Sequence, residues 1–567
     1  MAKDSWPISG GNLDPVSLAK LSVRLARRWK AKRTYDEALT RYDHETAEAA
    51  EKAVLAGRKP DAVFARADKL REEREERRRL LADPPPHHGT ARWATSTDLG
   101  TSLRGRSSFD DPRSILLGSL VEGGRLAGLV HWDGDGHLMT LAPTRTGKAV
   151  TTIIPNLLRY RGSCVVLDPK GELYASTSKW RATLGPVYRF APFDDGADPA
   201  RAGWRRDGFN PLADVRTEFQ ARSLATTMLP RDPKSPAFFQ KDAVAFLSAL
   251  MLHLRDLPGS EPRDRTMRSV VNIMGDRGAL ERLWLPDMAA SPNLSVRAAA
   301  ENVLGKAKGS GTSLVNFFDT LHSELHLWRE PGLLRAMDRP DIDFARLKDA
   351  PATVYVEVPF RLMRAYGMVL QIVLRAALDA MTSNATVPPI PVLFVLDEFL
   401  ALDAFPDMAD AIRTHAGAGV RLWFFLQDIG KLQELYPGTS WQAFFNSAAK
   451  QIFGTNEAFT AELVSRHLAN RTVAYLTTGA STNLSAQMGG HLPASATFNI
   501  SSSENLHFIG RALLTPDEVT AELSAWNPGG TRSAILWLSN VPRPVLAQLT
   551  AYTNSAVCRE REGALLV

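Results

Sequence analysis

The stretch that decides the fold runs from His137 to Leu158 and has the sequence HLMTLAPTRTGKAVTTIIPNLL. Alternating apolar residues at its start predict a buried strand, and apolar residues at helical spacing follow Lys148. A strand, a glycine turn, a lysine and a helix form the layout of a phosphate-binding P-loop. Backbone N–H groups of this turn would surround phosphate oxygens, and Lys148 would reach the β- and γ-phosphates. The predicted nucleotide-binding residues are Pro143, Thr144, Arg145, Thr146, Gly147, Lys148, Ala149 and Val150.

Two positions of this loop depart from the pattern G-x-x-x-x-G-K-[ST]. Ala142 replaces the first glycine, although a small residue still permits a tight turn. Ala149 replaces the Ser or Thr whose hydroxyl normally binds Mg²⁺. Thr151 and Thr152 lie close by, but a helix turns by about 100° per residue, so neither points in the same direction. An ordinary strand-to-helix turn therefore remains an alternative for this stretch taken alone.

A second apolar run, VLFVL at 392–396, ends in two carboxylates, Asp397 and Glu398. An uninterrupted apolar run predicts a central parallel strand that is buried on both faces. In a Walker B strand, Asp397 would hold Mg²⁺ directly or through water, and Glu398 would polarise the attacking water. A strand that ends by chance in an acidic turn is the alternative. Because the same chain also contains the P-loop pattern, a nucleotide site is the better interpretation of this apolar run and its two carboxylates.

A third apolar run, VRLWFFL at 420–426, is followed by Gln427. A P-loop, a Walker B strand and then a strand ending in an amide occur in this order in RecA-like motors. Gln427 would lie between the water and the γ-phosphate and report hydrolysis, which makes it a third catalytic candidate beside Lys148 and Glu398. The alternative is a helix cap or an ordinary turn residue.

Five separated motifs resemble those of the type IV secretion coupling proteins, the TraG/TraD-like conjugative DNA-transfer ATPases. The resemblance extends from His88 to Tyr552, and it implies that the two alanines are a loop variant of the TraG-like branch. It also implies a ring-shaped hexameric motor that uses ATP and Mg²⁺. Such a motor receives relaxase-bound single-stranded DNA or secreted proteins and passes them to the type IV secretion channel. The motifs are APTRTGKAVTTIIPNLL, VVLDPKGELY, FNPL, FVLDEFLAL and GRALLTPDEV.

The predicted fold class is α/β, with a RecA-like P-loop core on a mainly parallel sheet, an inserted all-α domain and an N-terminal helical extension. Residues 215–344 show helical patterns without strands, whereas strand patterns return near residue 353. The predicted divisions are a basic and charged helical extension at 1–83, a linker and lead-in segment at 84–136, the first part of the nucleotide-binding domain at 137–214, the all-α domain at 215–344, the second part of the nucleotide-binding domain at 345–553 and a tail at 554–567.

The cysteine count, the net charge and the lack of long apolar runs limit the classes of protein to which this chain can belong. The chain has 567 residues, a formal charge of +6 and two cysteines, Cys164 and Cys558, which are too few for a zinc site or a disulfide framework. The charge is compatible with nucleic-acid contact. The sequence shows neither a signal peptide nor an apolar run of about 18 residues. These patterns favour a cytoplasmic location, and the resemblance implies a position at the cytoplasmic face of the bacterial inner membrane, without the membrane anchor that family members usually carry.

Residues 17–33, SLAKLSVRLARRWKAKR, predict a basic amphipathic helix. We expect peripheral contact with the inner membrane, with DNA or with a separate membrane partner, and packing on the chain's own body is the alternative. The charged run LREEREERRRLL predicts a solvated helix or a coiled-coil arm. Residues 476–505 have the composition of a loop or an edge hairpin, and the last dozen residues show no motif.

Two other functions remain open from the sequence. One is a scaffold that binds nucleotide without hydrolysing it, which the missing hydroxyl at Ala149 favours. The other is an FtsK-like or helicase-like DNA translocase that has the same motor motifs but is unconnected with secretion. The resemblance further implies a homo-hexamer in which an arginine completes the site of a neighbouring subunit. Three candidates for that arginine are Arg413, Arg421 and Arg511.

Overall fold

The computed structural model describes residues 14–105, 109–229, 237–257, 265–308, 311–438, 440–446, 448–486 and 496–566. The chain divides into two compact units. The hairpin unit comprises Met1–Ala91 and Ala469–Leu513, and the sheet unit comprises Arg92–Leu468 and Leu514–Val567. Within the described ranges, no helix has both the length and the apolar character needed to cross a bilayer.

The described strands, in chain order, are β1 (Leu103–Arg104), β2 (Ile115–Glu122), β3 (Arg125–Trp132), β4 (His137–Leu141), β5 (Cys164–Leu167), β6 (Val187–Phe190), β7 (Thr353–Val356), β8 (Val392–Leu396), β9 (Val420–Leu426), β10 (Ala448–Ile452), β11 (Asn470–Ala486), β12 (Ala496–Ala512), β13 (Thr531–Trp537) and β14 (Val545–Thr550).

The described α-helices are α1 (Pro15–Leu39), α2 (His44–Leu55), α3 (Asp61–Ala82), α4 (Ser96–Leu99), α5 (Ile154–Leu157), α6 (Glu172–Arg181), α7 (Glu218–Met228), α8 (Ala237–Asp256), α9 (Met267–Gly275), α10 (Arg277–Ala279), α11 (Leu285–Ala289), α12 (Leu294–Lys308), α13 (Gly311–Leu325), α14 (Pro331–Met337), α15 (Phe360–Ser383), α16 (Pro406–Thr414), α17 (Ile429–Leu435), α18 (Gln442–Asn446), α19 (Ala458–Leu468), α20 (Pro516–Leu523) and α21 (Ala556–Arg561).

The sheet unit is built on one twelve-stranded sheet in the order β1-β3-β2-β14-β13-β10-β4-β9-β8-β5-β7-β6. The seven strands from β10 to β6 are parallel, and the other five pair antiparallel. Every residue of β4, β8 and β9 is buried, as expected for central parallel strands covered on both faces. The predicted α/β fold with a mainly parallel sheet is confirmed.

The predicted all-α region contains α7 to α14 and, among its described residues, no strand. Its long central helix α8 buries Phe246, whose ring meets that of Phe317 edge-on at a centroid distance of 5.7 Å. The region nevertheless belongs to the same compact unit as the sheet. The helices therefore form an insertion that packs with the sheet rather than a separate body.

The hairpin unit combines the N-terminal helices with a long two-stranded sheet. Alanines at the α1–α2 contact, including Ala31 and Ala47, are buried and allow the two helices to approach closely. Helix α3 buries no residue, in agreement with the solvated helix predicted from its charge pattern. Strands β11 and β12 pair from Asn470↔Ala512 to Ala486↔Ala496, and residues 487–495 between them lie outside the described part.

The two compact units cut across the predicted divisions. The range 345–553 is interrupted, because Ala469–Leu513 groups with the N-terminal helices. The helices of the extension end at Ala82, next to the predicted end at residue 83, but their unit continues to Ala91, and Thr90 forms a β-bridge with Arg471. The hairpin alternative for 476–505 is right, but this hairpin forms its own sheet instead of an edge of the large one.

The predicted tail at 554–567 is also part of the sheet unit. The guanidinium of Arg561 donates to both carboxylate oxygens of Asp110, at 2.6 and 2.8 Å. The backbone N–H of Leu565 donates to the hydroxyl of Ser178 at 2.7 Å. The end of the chain is therefore held against α6 and the segment before β2.

Candidate nucleotide-binding and catalytic site

The predicted site residues meet at the carboxyl edge of three neighbouring parallel strands. The P-loop follows β4, Gln427 follows β9, and Asp397 and Glu398 follow β8. In the sheet, β9 lies between β4 and β8, although it is the last of the three in the chain. Ligands of open α/β sheets bind at this edge, because the loops there leave a crevice.

Local hydrogen bonds hold the P-loop in a tight turn. The N–H of Ala142 donates to the carbonyl of Leu426 at 2.9 Å, and the hydroxyl of Thr146 donates to the carbonyl of Pro143 at 2.6 Å. Arg145 and Gly147 both have left-handed backbone conformations, with φ of 61° and 90°. Thr144 and Arg145 are exposed at the tip of the turn, whereas Thr146 is buried.

The helix after the P-loop starts with a π-helical turn at Ala149–Ile153 and continues as α5. Pro155 has no amide hydrogen to donate to the carbonyl of Thr151, so the usual i to i−4 ladder is interrupted there. Such π-turns are frequent at functional sites. Ala149 and Val150, at the start of this turn, are half-buried.

Lys148 contacts both Walker B carboxylates. Its Nζ atom lies 3.3 Å from Oε1 of Glu398 and 3.6 Å from Oδ1 of Asp397. The side-chain amide of Gln427 donates to the other carboxylate oxygen of Glu398. Glu398 has a left-handed backbone with φ of 55°, which is strained for a residue with a side chain. The structure thus brings together the four side chains that the sequence singled out for catalysis and metal binding.

Asp397 has the properties of a metal ligand. Its Oδ1 atom is buried and makes no hydrogen bond. Burial raises the pKa of Asp397, and the nearby Lys148 ammonium acts against this shift. A buried carboxylate oxygen without a hydrogen-bond donor suits a hard divalent cation such as Mg²⁺. Ala149 offers no oxygen, and the Thr151 hydroxyl donates to the carbonyl of Gly147 at 2.9 Å.

Several acidic and basic side chains near Asp397 are buried and contact other polar groups. Asp168, from the DPKGEL motif, accepts the N–H of Tyr174 at 2.8 Å, and burial raises its pKa to about 7. Glu357 accepts from Arg189 at 2.7 Å and also pairs with Arg201. The carboxylates of Glu357 and Asp397 add to the raised pKa of Asp168, whereas Lys170, two residues further along the motif, is exposed.

Sequence reasoning missed three residues beside the P-loop. Gly454, two residues after the end of β10, has φ of 73°, and a Cβ atom there would overlap the side chain of Thr146. The ring of Trp526 covers Gly147, where a Cβ would lie 2.9 Å from Cζ2 of the ring. Arg532 places its guanidinium 4.9 Å from the centroid of that ring. These residues are distant from the P-loop in the chain and match no phosphate-binding pattern.

Comparisons with known proteins show the family of the chain. The sequence profile of the family described as "Type IV secretory system Conjugative DNA transfer" matches residues 101–523. The conjugal transfer protein TraG of Escherichia coli is 27% identical over 470 residues, which cover 76% of this chain and 70% of that protein. The protein VirD4 of Agrobacterium fabrum is 27% identical over 454 residues, which cover 76% of this chain and 62% of that protein.

Solved structures of the plasmid coupling protein TrwB share the fold. The complex of TrwB with a non-hydrolysable GTP analogue has a TM-score of 0.53 and 15% identity, and covers 82% of this chain and 95% of that one. The complex of TrwB with ADP and Mg²⁺ has the same values. Because the family profile covers well over half of the 567 residues, the chain belongs to the type IV secretory system conjugative DNA transfer family, the type IV coupling proteins with a RecA-like P-loop fold.

Proposed function

We propose that this coupling protein binds ATP with Mg²⁺ and hydrolyses it to drive the delivery of a substrate to a type IV secretion channel. One observation carries the proposal: Lys148 of the P-loop contacts Asp397 and Glu398, and Gln427 donates to Glu398. Phosphoryl transfer needs positioned phosphates, a metal ion and an oriented water, and these side chains match the three requirements.

Each side chain has a defined role in this proposal. Lys148 neutralises charge on the β- and γ-phosphates, and Glu398 accepts a proton from the attacking water. Gln427 holds the Glu398 carboxylate in one orientation through its amide. Asp397 would hold the metal ion, which when bound neutralises the charge that develops on the phosphate oxygens. The backbone of 143–150 would hold the phosphates.

The experiment that tests this function measures ATP binding and phosphate release separately, with and without Mg²⁺. Mg²⁺-dependent release that Lys148→Ala abolishes supports the proposal. Binding without release supports the alternative, a nucleotide-binding scaffold, which the missing oxygen ligand at Ala149 favours. Turnover that is unchanged in both Lys148→Ala and Glu398→Gln contradicts the site assignment.

The proposed substrates are single-stranded DNA bound to a relaxase, or secreted proteins, and the proposed partners are components of the secretion channel. Membership of the conjugative DNA transfer family favours this role over an FtsK-like or helicase-like translocase without secretion. Co-purification of the chain with a relaxase and channel components from the same gene cluster tests it. Double-stranded DNA translocation without any such interaction favours the alternative.

A homo-hexamer is proposed as the working assembly, formed at the cytoplasmic face of the inner membrane. Arg421 is a poor trans arginine, because its guanidinium is buried and donates to the carbonyls of Arg113 and Gly134, both at 3.1 Å. Arg413 is exposed and only loosely paired with Asp410 at 3.9 Å, so it is the better candidate of these two. Arg511 lies in β12 of the hairpin unit. Sizing with an ATP analogue tests the assembly, and a strict monomer contradicts it.

Peripheral membrane contact through α1 is proposed for the hairpin unit. The stripe of Leu18, Leu21, Leu25 and Trp29 is exposed, with Trp29 at 69%. Within the described residues of the hairpin unit, this stripe is not covered, which favours membrane contact over the alternative of packing within that unit. The same helix carries seven basic residues between positions 20 and 33, which suits an anionic lipid surface. A separate membrane partner with an acidic, apolar surface is the alternative occupant.

A further inference from the structure

The guanidinium of Arg532 is buried beside the P-loop with two of its nitrogens unpartnered. Arg532 is 4% exposed, and neither Nε nor Nη1 makes a hydrogen bond, whereas Nη2 donates to the carbonyl of Ser524 at 3.3 Å. Burial lowers the pKa of this guanidinium, and among the residues that the structure describes no acid acts against the shift. A buried cation without a counter-ion destabilises a protein, so its presence here suggests a ligand that supplies the negative charge.

Several contacts place this guanidinium against the P-loop. A Cβ atom on Gly454 would lie within 3 Å of both Nη1 of Arg532 and the side chain of Thr146. The ring of Trp526 stacks on the guanidinium and also covers Gly147. Arg532 therefore borders the two turn residues that precede Lys148.

The sheet explains how a residue so late in the chain reaches this position. Strand β13 is antiparallel to β10, with Ile535 opposite Ile452, and β10 is parallel to the P-loop strand β4. The amino end of β13, where Arg532 lies, therefore meets the carboxyl ends of β10 and β4 at the same edge. The buried hydroxyl of Thr455, just beyond β10, also has no hydrogen-bond partner.

The LLTPDEV motif fixes this arrangement. It opens α20 with a capping box between Thr515 and Glu518. At the other end of the helix, the carbonyl of Leu523 accepts the N–H of Gly454 at 2.9 Å, and the next carbonyl, of Ser524, accepts from Arg532. The motif thus connects the C-terminal strands to the P-loop, a role that the catalytic proposal does not use.

We propose that Arg532 is a further phosphate-binding residue of the nucleotide site, supplied by the same subunit as the P-loop. In the sheet, β10 and β13 lie on one side of β4, whereas β9 and β8 lie on its other side. Arg532 therefore contacts the phosphate chain from the side opposite to Asp397 and Glu398. The two unpartnered nitrogens donate charge-assisted hydrogen bonds to phosphate oxygens, and Trp526 holds the guanidinium plane. This inference rests on the proposed ATP site and adds a cation to it.

The first test measures equilibrium binding of MgATP and MgADP to the full chain. Methionine approximates the arginine side chain in size without its charge, so Arg532→Met is expected to weaken ATP binding about tenfold or more. Arg532→Lys is expected to bind with intermediate affinity, because an ammonium keeps the charge but loses the two parallel donors. Lys148→Ala serves as the reference for loss of the site.

The second test follows thermal unfolding without nucleotide and separates a binding role from a structural one. Arg532→Met should unfold at the same temperature as the wild type or higher, since it removes an unpaired buried charge. The matched control is Arg159→Met, which removes a buried guanidinium whose Nε, Nη1 and Nη2 all donate to carbonyls, at 2.6, 2.6 and 2.9 Å. The control should unfold at a lower temperature.

Three results overturn the inference. If the wild type binds ATP, Lys148→Ala does not, and Arg532→Met binds as the wild type, Arg532 makes no phosphate contact and the proposed ATP site stands. If Arg532→Met lowers the unfolding temperature as Arg159→Met does, the arginine is structural. If the wild type itself binds no ATP, the proposed function fails together with the inference.

Discussion

The ammonium of Lys148 lies 3.3 Å from Oε1 of Glu398, across 250 positions of the chain. The contact joins the P-loop to the strand that ends in Asp397 and Glu398. Phosphates entering the loop would compete with Glu398 for the same ammonium, because both are anions that Lys148 can neutralise. Nucleotide binding is therefore expected to release the Glu398 carboxylate for its role with water.

Glu398→Gln is expected to separate binding from hydrolysis. Turnover should fall about 100-fold or more, because the amide cannot accept the proton of the attacking water. ATP affinity should be kept or rise, since glutamine does not compete as an anion for Lys148. Phosphate release and equilibrium ATP binding measure the two effects. Glu434→Gln, an exposed partner of Lys431, is the control and should change neither.

Gly454→Ala is expected to disturb the P-loop from outside. The left-handed φ of 73° alone should cost about 1–2 kcal/mol of unfolding free energy, and the added methyl group would also displace Thr146. Weaker ATP binding is therefore expected together with lower stability. Gly438→Ala is the matched control, because Gly438 has φ of 70° with open space around its Cβ position. Equal ATP affinity in both variants would contradict the packing argument.

Asp168→Asn is expected to change how stability depends on pH. The pKa of Asp168 is about 7 in the folded protein, against 3.8 for the ordinary carboxyl, so the native state binds this proton more tightly than the unfolded chain. The wild type should therefore lose stability from this residue as pH rises from about 4 to about 7. The unfolding temperature of the variant minus that of the wild type should be larger at about pH 8 than at about pH 5. A difference that is the same at both pH values would rule out the raised pKa.

Arg561→Ala is expected to loosen the C-terminal segment. The side chain donates two hydrogen bonds to Asp110 and one to the carbonyl of Leu158, and stacks 3.9 Å from the ring centroid of Trp180. The loss should lower the unfolding free energy by about 1–3 kcal/mol, as measured by denaturant titration. Arg559→Ala, an exposed change in the same helix, should have a much smaller effect. Equal losses would mean that the tail does not depend on the Asp110 contact.

Serine replacement of Leu21, Leu25 and Trp29 is expected to abolish flotation of the full chain with anionic vesicles. Each basic residue of α1 can add about 1 kcal/mol of attraction to anionic lipid, but stable attachment also needs the apolar stripe. Leu70→Ser, at an exposed leucine of α3, is the control and should float as the wild type. If the triple variant still floats, the lipid contact lies elsewhere. If the wild type itself does not float, a membrane protein retained by α1 would replace lipid as the partner of this helix.

The site residues were predictable because each belongs to a local pattern. The Gly147-Lys148 turn, the carboxylates after VLFVL and the amide after VRLWFFL all follow strands that are apolar throughout. Buried parallel strands impose that pattern, and their carboxyl ends share one edge of the sheet. Contacts of Lys148 with Glu398 and Asp397, and of Gln427 with Glu398, show that the three segments meet, whereas the catalytic roles stay predictions.

Other features had no local pattern from which to predict them. The residues of β11 and β12 are rich in small and polar side chains, so their composition did not distinguish a long hairpin from a loop. The C-terminal tail is held by contacts between distant residues, such as that of Arg561 with an aspartate more than 400 positions earlier. Arg421 was a reasonable trans candidate by type, but folding buries it against two carbonyls.

The sequence by itself determined the α/β fold class, the family, and the positions of Lys148, Asp397, Glu398 and Gln427 just after buried strands, because strand burial and phosphate binding constrain residues that are neighbours in the chain. The tertiary structure alone decided that β9 lies between β4 and β8, that residues 469–513 join the N-terminal helices, and that Arg532 borders the P-loop. Sheet order and the pairing of distant strands depend on the packing of the whole chain. A buried charge shows that it lacks a partner only after the chain has folded around it.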